Sequence, residues 1–205
     1  MPRPRVHDVD RMLDAAESLA AEAGTSAVTI RSVAAAAGVS NGAIYHTFGS
    51  RAELLARTWL RAARRFLATQ RALVDGSLSP RDAVVAAAEA PAVFAEQYPQ
   101  SSSVLLAMHR EELIGEGIRR EVASEVAETQ AELVELMVGL ATAVWDRKDA
   151  AAVDVITTCI VDLPTSILLQ RNRIHSPTAV EHLRAAVLAV LNVGPSPVKQ
   201  KRRPG

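Results

Sequence analysis

Apolar residues recur along most of the chain at intervals of three and four, the spacing that collects them on one face of an α-helix. Between residues 9 and 23 the positions are Val9, Leu13, Ala16 and Ala20, with Asp8 or Asp10 available as a cap and Gly24 as the stop. Thr29 and Ser40 then precede two further apolar runs. Val28 and Val33 flank the first cap and Val39 and Ile44 the second, each pair at the positions of a hydrophobic staple. The pattern predicts two short helices joined by almost nothing but Gly38 and Val39. Ser50-Arg51-Ala52-Glu53 reads as a capping box opening a long helix, 51–75, with Leu55, Trp59, Ala62, Phe66 and Leu73 on one face.

The remainder keeps the same period. Ser79 and Pro80 open a helix through Ala83, Val84, Ala87 and Ala88, and Pro91 is expected to kink or end it. A shorter helix is predicted over 100–110 and a long one over 117–145. Two unusually apolar helices close the chain, over about 149–171 and 177–192. Val153, Ile156, Ile160 and Ile167 mark the first, and Val180, Leu183, Val187 and Leu191 the second. Both carry enough apolar positions to cover one face within the chain and offer another to a partner, as in a four-helix bundle built from two subunits. The fold class is therefore all-α, with about nine helices: an N-terminal three-helix helix-turn-helix domain over 1–50, the linking helix 51–75, a larger helical domain over 76–193 and a basic, proline-rich tail over 194–205 that composition predicts to be disordered.

Composition sharpens this picture. Hydrophobic residues make up 49% of the chain and aromatic ones 3%, so the core is built from Ala, Val, Leu and Ile. No run reaches the roughly 18 to 20 uninterrupted apolar residues of a membrane span, and MPRPRVHDVD lacks an apolar signal core, which places the chain in the cytoplasm and away from membranes. Cys159, the single cysteine, can form neither an internal disulfide nor a cysteine-based metal site. The net charge is zero, but residues 1–75 hold ten Arg or Lys against seven acids, while the rest is acidic by the same margin. An N-terminal segment that meets phosphate fits this asymmetry.

In a helix-turn-helix unit the second helix lies in the major groove with its first residues at the base edges, here Ser40, Asn41, Gly42 and Ala43 followed by Tyr45 and His46. TIRSVAAAAGVSNGAIYHTFGSRAELL, residues 29–55, resembles the DNA-binding segment of TetR/AcrR-type regulators, including the Ala-Gly-Val-Ser turn and the Ile-Tyr-His-x-Phe end of the recognition helix. The resemblance covers about residues 9–60. It implies a DNA-facing set of Thr29, Arg31, Ser40, Asn41, Gly42, Tyr45, His46 and Arg51. By their chemistry Asn41 suits a base edge, Gly42 allows close backbone approach, and Thr29, Tyr45, His46 and Arg51 suit phosphates. Phe48 reads as a core plug. Arg3 and Arg5 form a short basic arm that reads more simply as a tail.

The resemblance further implies that the last two helices form a homodimer interface, matching a palindromic operator in double-stranded DNA, and that the middle helices enclose a small-molecule effector. Pro91 and Pro164 are candidate kinks. Phe94, Tyr98, Met108, His109, Trp145, Cys159 and Asp162 are the larger or polar residues near them, and the surrounding composition favours a hydrophobic or amphipathic effector. Repression is the implied outcome. No phosphate-binding Gly-rich loop, Gly-x-Ser-x-Gly elbow or His-Glu-x-x-His pair occurs, so neither an enzyme nor a cofactor is expected. The competing reading is a dimeric small-molecule-binding protein of the same fold without operator recognition.

Overall fold

The computed structural model describes residues 6–108 and 118–197, with side chains from residue 8 onward. His109, the Arg3–Arg5 arm and the tail beyond 197 lie outside the described residues. Within them the chain is all-α, with nine α-helices and no strand: α1 Val6–Ala23, α2 Ile30–Ala37, α3 Asn41–Phe48, α4 Arg51–Asp75, α5 Pro80–Gln97, α6 Pro99–Ala107, α7 Arg120–Trp145, α8 Ala150–Thr157 and α9 Pro177–Val193. A 3₁₀ turn, Thr25–Ala27, precedes α2. Two wide π-type turns, Thr158–Asp162 and Thr165–Leu169, carry α8 past Pro164.

Two compact units divide the chain, Met1–Thr69 with Pro91–Leu133, and Gln70–Ala90 with Val134–Gly205. In the first, α1 packs on α2 and α6. The buried core gathers Met12, Leu13 and Ala16 of α1, Val33 and Ala37 of α2, Ile44 and Phe48 of α3, Leu54 of α4, Val104 of α6 and Val122 of α7. The small side chains of Ala34 and Ala37 are part of that core, where bulk would force the helices apart, whereas Ala35 and Ala36 of the same run are exposed.

Charge ties the same unit together. Glu17 of α1 is only 3% exposed and receives Arg61 and Arg65 of α4 at 3.0 and 3.1 Å, with the Ser101 hydroxyl of α6 donating at 3.1 Å. A carboxylate this deep costs stability unless it is compensated. Two guanidiniums and a hydroxyl supply that compensation.

In the second unit α9 packs on the two π-type turns, and the middle of α5 is held by ion pairing of Glu89 with Arg184 of α9 at 2.8 Å. Of the two outcomes expected at Pro91, a kink or an end, the helix does not end there: α5 continues to Gln97. Proline leaves the carbonyl four residues earlier, that of Ala87, without its helical donor. The buried Gln70 donates its Nε2–H to that oxygen at 3.0 Å.

Residues Ala150–Leu169 are long and apolar enough to cross a membrane by length and composition, with a mean hydropathy of 1.7. Asp154 and Asp162 interrupt the run. Ala152, Ile156, Cys159, Ile160 and Leu168 are buried within the chain.

Candidate nucleic-acid interface

The two short helices are fixed by local chemistry. Thr29 accepts from the Ser32 amide at 3.1 Å while the Ser32 hydroxyl oxygen accepts from the Thr29 amide at 2.9 Å, closing a reciprocal box at the start of α2. At its end Gly38 takes the left-handed conformation, φ 66° and ψ 37°, which a side chain would strain. The Val39 amide then reaches back to the Ala34 carbonyl at 2.9 Å. Arg11 of α1 donates to the Ala37 carbonyl at 2.6 Å, placing positive charge where the dipole of α2 favours it.

Ser40 caps α3, accepting from the Ala43 amide at 3.1 Å. Ile44 and Phe48 point inward and are fully buried, so Phe48 is the core plug that the sequence suggests. Asn41, Gly42, Tyr45 and His46 stand exposed, Tyr45 at 55%. An aromatic ring left this open contributes little to the core.

Arg51 behaves differently from the expected phosphate contact. Its Nε donates to the Val28 carbonyl and its Nη2 to that of Thr25, both at 2.6 Å, bracing the chain that enters α2. The next turn also departs from the sequence pattern. Ser50 accepts from the Glu53 amide at 3.0 Å, as a cap should. The Glu53 carboxylate, only 2% exposed, is held by Arg119, whose Nε lies 2.8 Å from both oxygens and whose Nη2 donates to Oε1, and by Arg57 at 3.5 Å. Burial pushes this carboxyl up, but Arg119 and then Arg57 outweigh it and hold it below its ordinary value.

Most of the basic residues in this unit are therefore already engaged. Arg57 and Arg64 pair with Glu125, and Arg61 with Asp14 and Glu17. Arg31, exposed on α2, has no side-chain partner among the described residues. A groove of about 430 Å³ beside α4 is lined by Arg57, Arg61, Arg64 and Arg65 over Val9, Leu13, Leu60 and Ala68. Acids pair with its guanidiniums, although the buried Nη2 of Arg61 has no hydrogen-bond partner among the described residues, and the groove is an ion-paired seam between α1 and α4.

Residues 12–58 match the family model described as bacterial regulatory proteins, tetR family. Over this segment the chain is similar to the tetR family. No curated protein matches the chain by sequence. Solved structures extend the likeness in fold to nearly the whole chain. The TetR family transcriptional regulator PfmR from Thermus thermophilus is 21% identical, over 89% of this chain and 98% of that one, with a TM-score of 0.67. A transcriptional regulator from Pseudomonas aeruginosa is 18% identical, over 90% and 88%, at 0.71. The ketosteroid transcriptional regulator KstR2 of Mycobacterium tuberculosis is 20% identical, over 92% and 95%, at 0.62.

A cavity of about 280 Å³ lies wholly in the first unit. It is walled by Trp59, Ala63, Phe66 and Leu67 of α4, Leu105 of α6, and Thr129, Gln130 and Leu133 of α7. None of the described effector candidates expected near Pro91 and Pro164 lines it. Phe94 stands edge-on to Phe66 of the wall with centroids 5.5 Å apart, and Tyr98 lies tilted against Phe94 at 5.5 Å. Met108 is buried in the core around α1. Trp145, Cys159 and Asp162 belong to the second unit. Cys159 is buried, which pushes its thiol up to about 11 and keeps it protonated and unreactive. Among the described residues no group of three His, Cys, Asp or Glu is placed to hold a metal. The sequence did carry a signal for the cavity: aromatics are scarce, and two of them, Trp59 and Phe66, sit on the apolar face of one helix.

The residues expected at a dimer interface divide in two. Ile156, Ile160, Leu183, Val187 and Leu191 are buried within the single chain, where they form core and present no surface to a partner. Val153, Ile167 and Val180 remain half-buried. Leu188, at 39% exposure, stands on the open side of α9 with the exposed Ala185 and Ala189.

Proposed function

We propose that this DNA-binding regulator is a homodimeric repressor that reads a palindromic operator with α3 and is released by a small apolar or amphipathic effector. The observation that carries the reading is the division of α3. Its inner face, Ile44 and Phe48, is fully buried, while Asn41, Gly42, Tyr45 and His46 are exposed and polar or small. Such a face adds little to the stability of the fold and suits a major groove.

In this reading Asn41 contacts a base edge and Gly42 lets the backbone approach. Tyr45, His46 and Arg31 meet phosphates, joined by the free amides at the starts of α2 and α3 next to Thr29 and Ser40. Arg51 supports them by bracing the loop before α2. Residues 1–50 are the DNA-binding domain, α4 links it onward, and residues 76–193 supply dimerisation and much of the effector-binding scaffold. The protein works in the cytoplasm, where its operator lies, and no catalytic role is proposed for it.

The cavity beside α4 is the effector site this reading favours, because α4 begins immediately after the recognition helix and also carries Trp59 and Phe66 into the cavity wall. A solved structure of this fold belongs to a ketosteroid regulator, which fits an apolar effector. Release is a population shift. The effector must bind better to a dimer whose recognition helices no longer match successive major grooves, roughly 34 Å apart.

Selection from a random duplex library, with the native protein beside Tyr45→Ala, tests the reading. A palindromic motif enriched by the native protein and lost in a variant of unchanged melting temperature is the expected result. Binding should weaken steeply with salt through counterion release. No enrichment by folded protein would favour a dimeric small-molecule-binding protein without operator recognition.

A further inference from the structure

We propose that the cavity walled by α4, α6 and α7 takes an uncharged, largely apolar ligand of about ten non-hydrogen atoms bearing one hydrogen-bond donor, which is received by Thr129. This rests on the cavity being the effector site and adds the chemical class of what enters it. Charge is the first ground. Among the described residues no Asp, Glu, Lys, Arg or His lines the cavity. An ionised carboxylate or ammonium entering it would shed its water and find no countercharge, a loss that apolar walls do not repay. The arginines of the same helix that could answer an anion, Arg57, Arg61 and Arg64, are paired with Glu53, Glu125, Asp14 and Glu17 instead.

Size is the second ground. A volume of about 280 Å³ equals roughly nine water molecules at about 30 Å³ each, which suits a fused bicycle or a medium-length chain. Trp59 and Phe66 in the wall favour a flat, polarisable occupant. Polarity is the third. The Thr129 hydroxyl is buried and donates its proton to the Val126 carbonyl at 2.7 Å. What it has left to offer is lone pairs, so the ligand must bring the donor. An apolar molecule with a hydroxyl or N–H at one end meets all three conditions.

Calorimetric titration of the full chain at pH 7 with four probes of one shape tests this: 2-naphthol, naphthalene, 2-naphthoate and 2-naphthylmethylammonium. One 2-naphthol per chain is expected to bind, with both charged probes at least tenfold weaker. Thr129→Val should weaken 2-naphthol about tenfold and leave naphthalene unchanged, while Leu133→Trp, or Leu105→Trp should the first not fold, should abolish binding of both. Charged probes that bind as well as 2-naphthol would overturn the proposed class, and 2-naphthol indifferent to Thr129→Val would overturn the donor requirement. If no probe binds, or binding survives both filled cavities, the effector-site reading itself falls and the proposal with it.

Discussion

Arg51 joins the first residue of α4 to the turn before α2 through two hydrogen bonds to backbone carbonyls, over a sequence separation of 23 and 26 residues. Hydrogen bonds from a charged donor contribute about 1.5–3 kcal/mol each, less where water competes. Arg51→Met should therefore lower the free energy of unfolding in urea by about 1–2 kcal/mol and weaken operator binding, because α2 loses its fixed entry. Arg51→Lys should restore little, since an ammonium cannot span both carbonyls in the planar fork. Lost DNA affinity with unchanged stability would instead return Arg51 to a direct phosphate role. Glu53 supports a second prediction at this scale. Its folded carboxyl is held below the ordinary value of 4.5, so its stabilising contribution is complete above that value and is lost as pH falls through the lowered one. Asp149, pulled down to about 2 by Arg147, loses its own contribution over the same acid range. The comparison must therefore be a difference: urea titrations at about pH 6 and about pH 3.5 should show native protein and Glu53→Gln well separated at the higher pH and closer at the lower. A constant gap would mean that Arg119 and Arg57 do not hold the carboxylate as described.

At the level of elements, what the sequence discloses and what it hides separate by range. The caps Thr29, Ser40, Ser50 and Ser79 are legible because each serine or threonine answers an amide three residues later. Gly38 is legible because its conformation excludes most other residues. The partners of Glu53 and Glu17 are not, since Arg119 lies 66 residues from Glu53 and Arg65 lies 48 from Glu17, distances that no local spacing encodes. The cavity is legible only at one wall, where Trp59 and Phe66 share a face of α4; the walls from α6 and α7 are hidden for the same reason, since prolines point only to bends. The passage of α5 through Pro91 is a further case, depending on a glutamine 17 residues before the carbonyl it satisfies. This gives a double-mutant test. Gln70→Leu should destabilise the native chain, leaving the Ala87 oxygen buried without a donor. In a Pro91→Ala background the restored helical amide supplies that donor, and the cost of Gln70→Leu should fall by about 1 kcal/mol. Additive effects in chemical denaturation would show that the proline and the glutamine act independently.

For the whole molecule, the question is which surface a second copy could cover. Burial excludes Leu183, Val187 and Leu191 of α9 and Ile156 and Ile160 of the preceding helix, because the single chain already encloses them. What α9 leaves open is Leu188 between Ala185 and Ala189, a stripe flat enough for close helix approach with one side chain to insert. The two faces of α9 should therefore fail in different ways. Leu183→Ala should cost about 2–5 kcal/mol of stability, the usual penalty for truncating a buried leucine. Leu188→Arg should leave the melting profile of the isolated chain nearly unchanged, yet convert the dimer expected by light scattering at micromolar concentration into a monomer. Because two recognition helices joined through one dimer gain affinity from their linkage, that monomer should also lose most of its hold on a palindromic operator while keeping weak, salt-sensitive binding to a half-site. A Leu188→Arg protein that remains dimeric would move the interface off this face of α9.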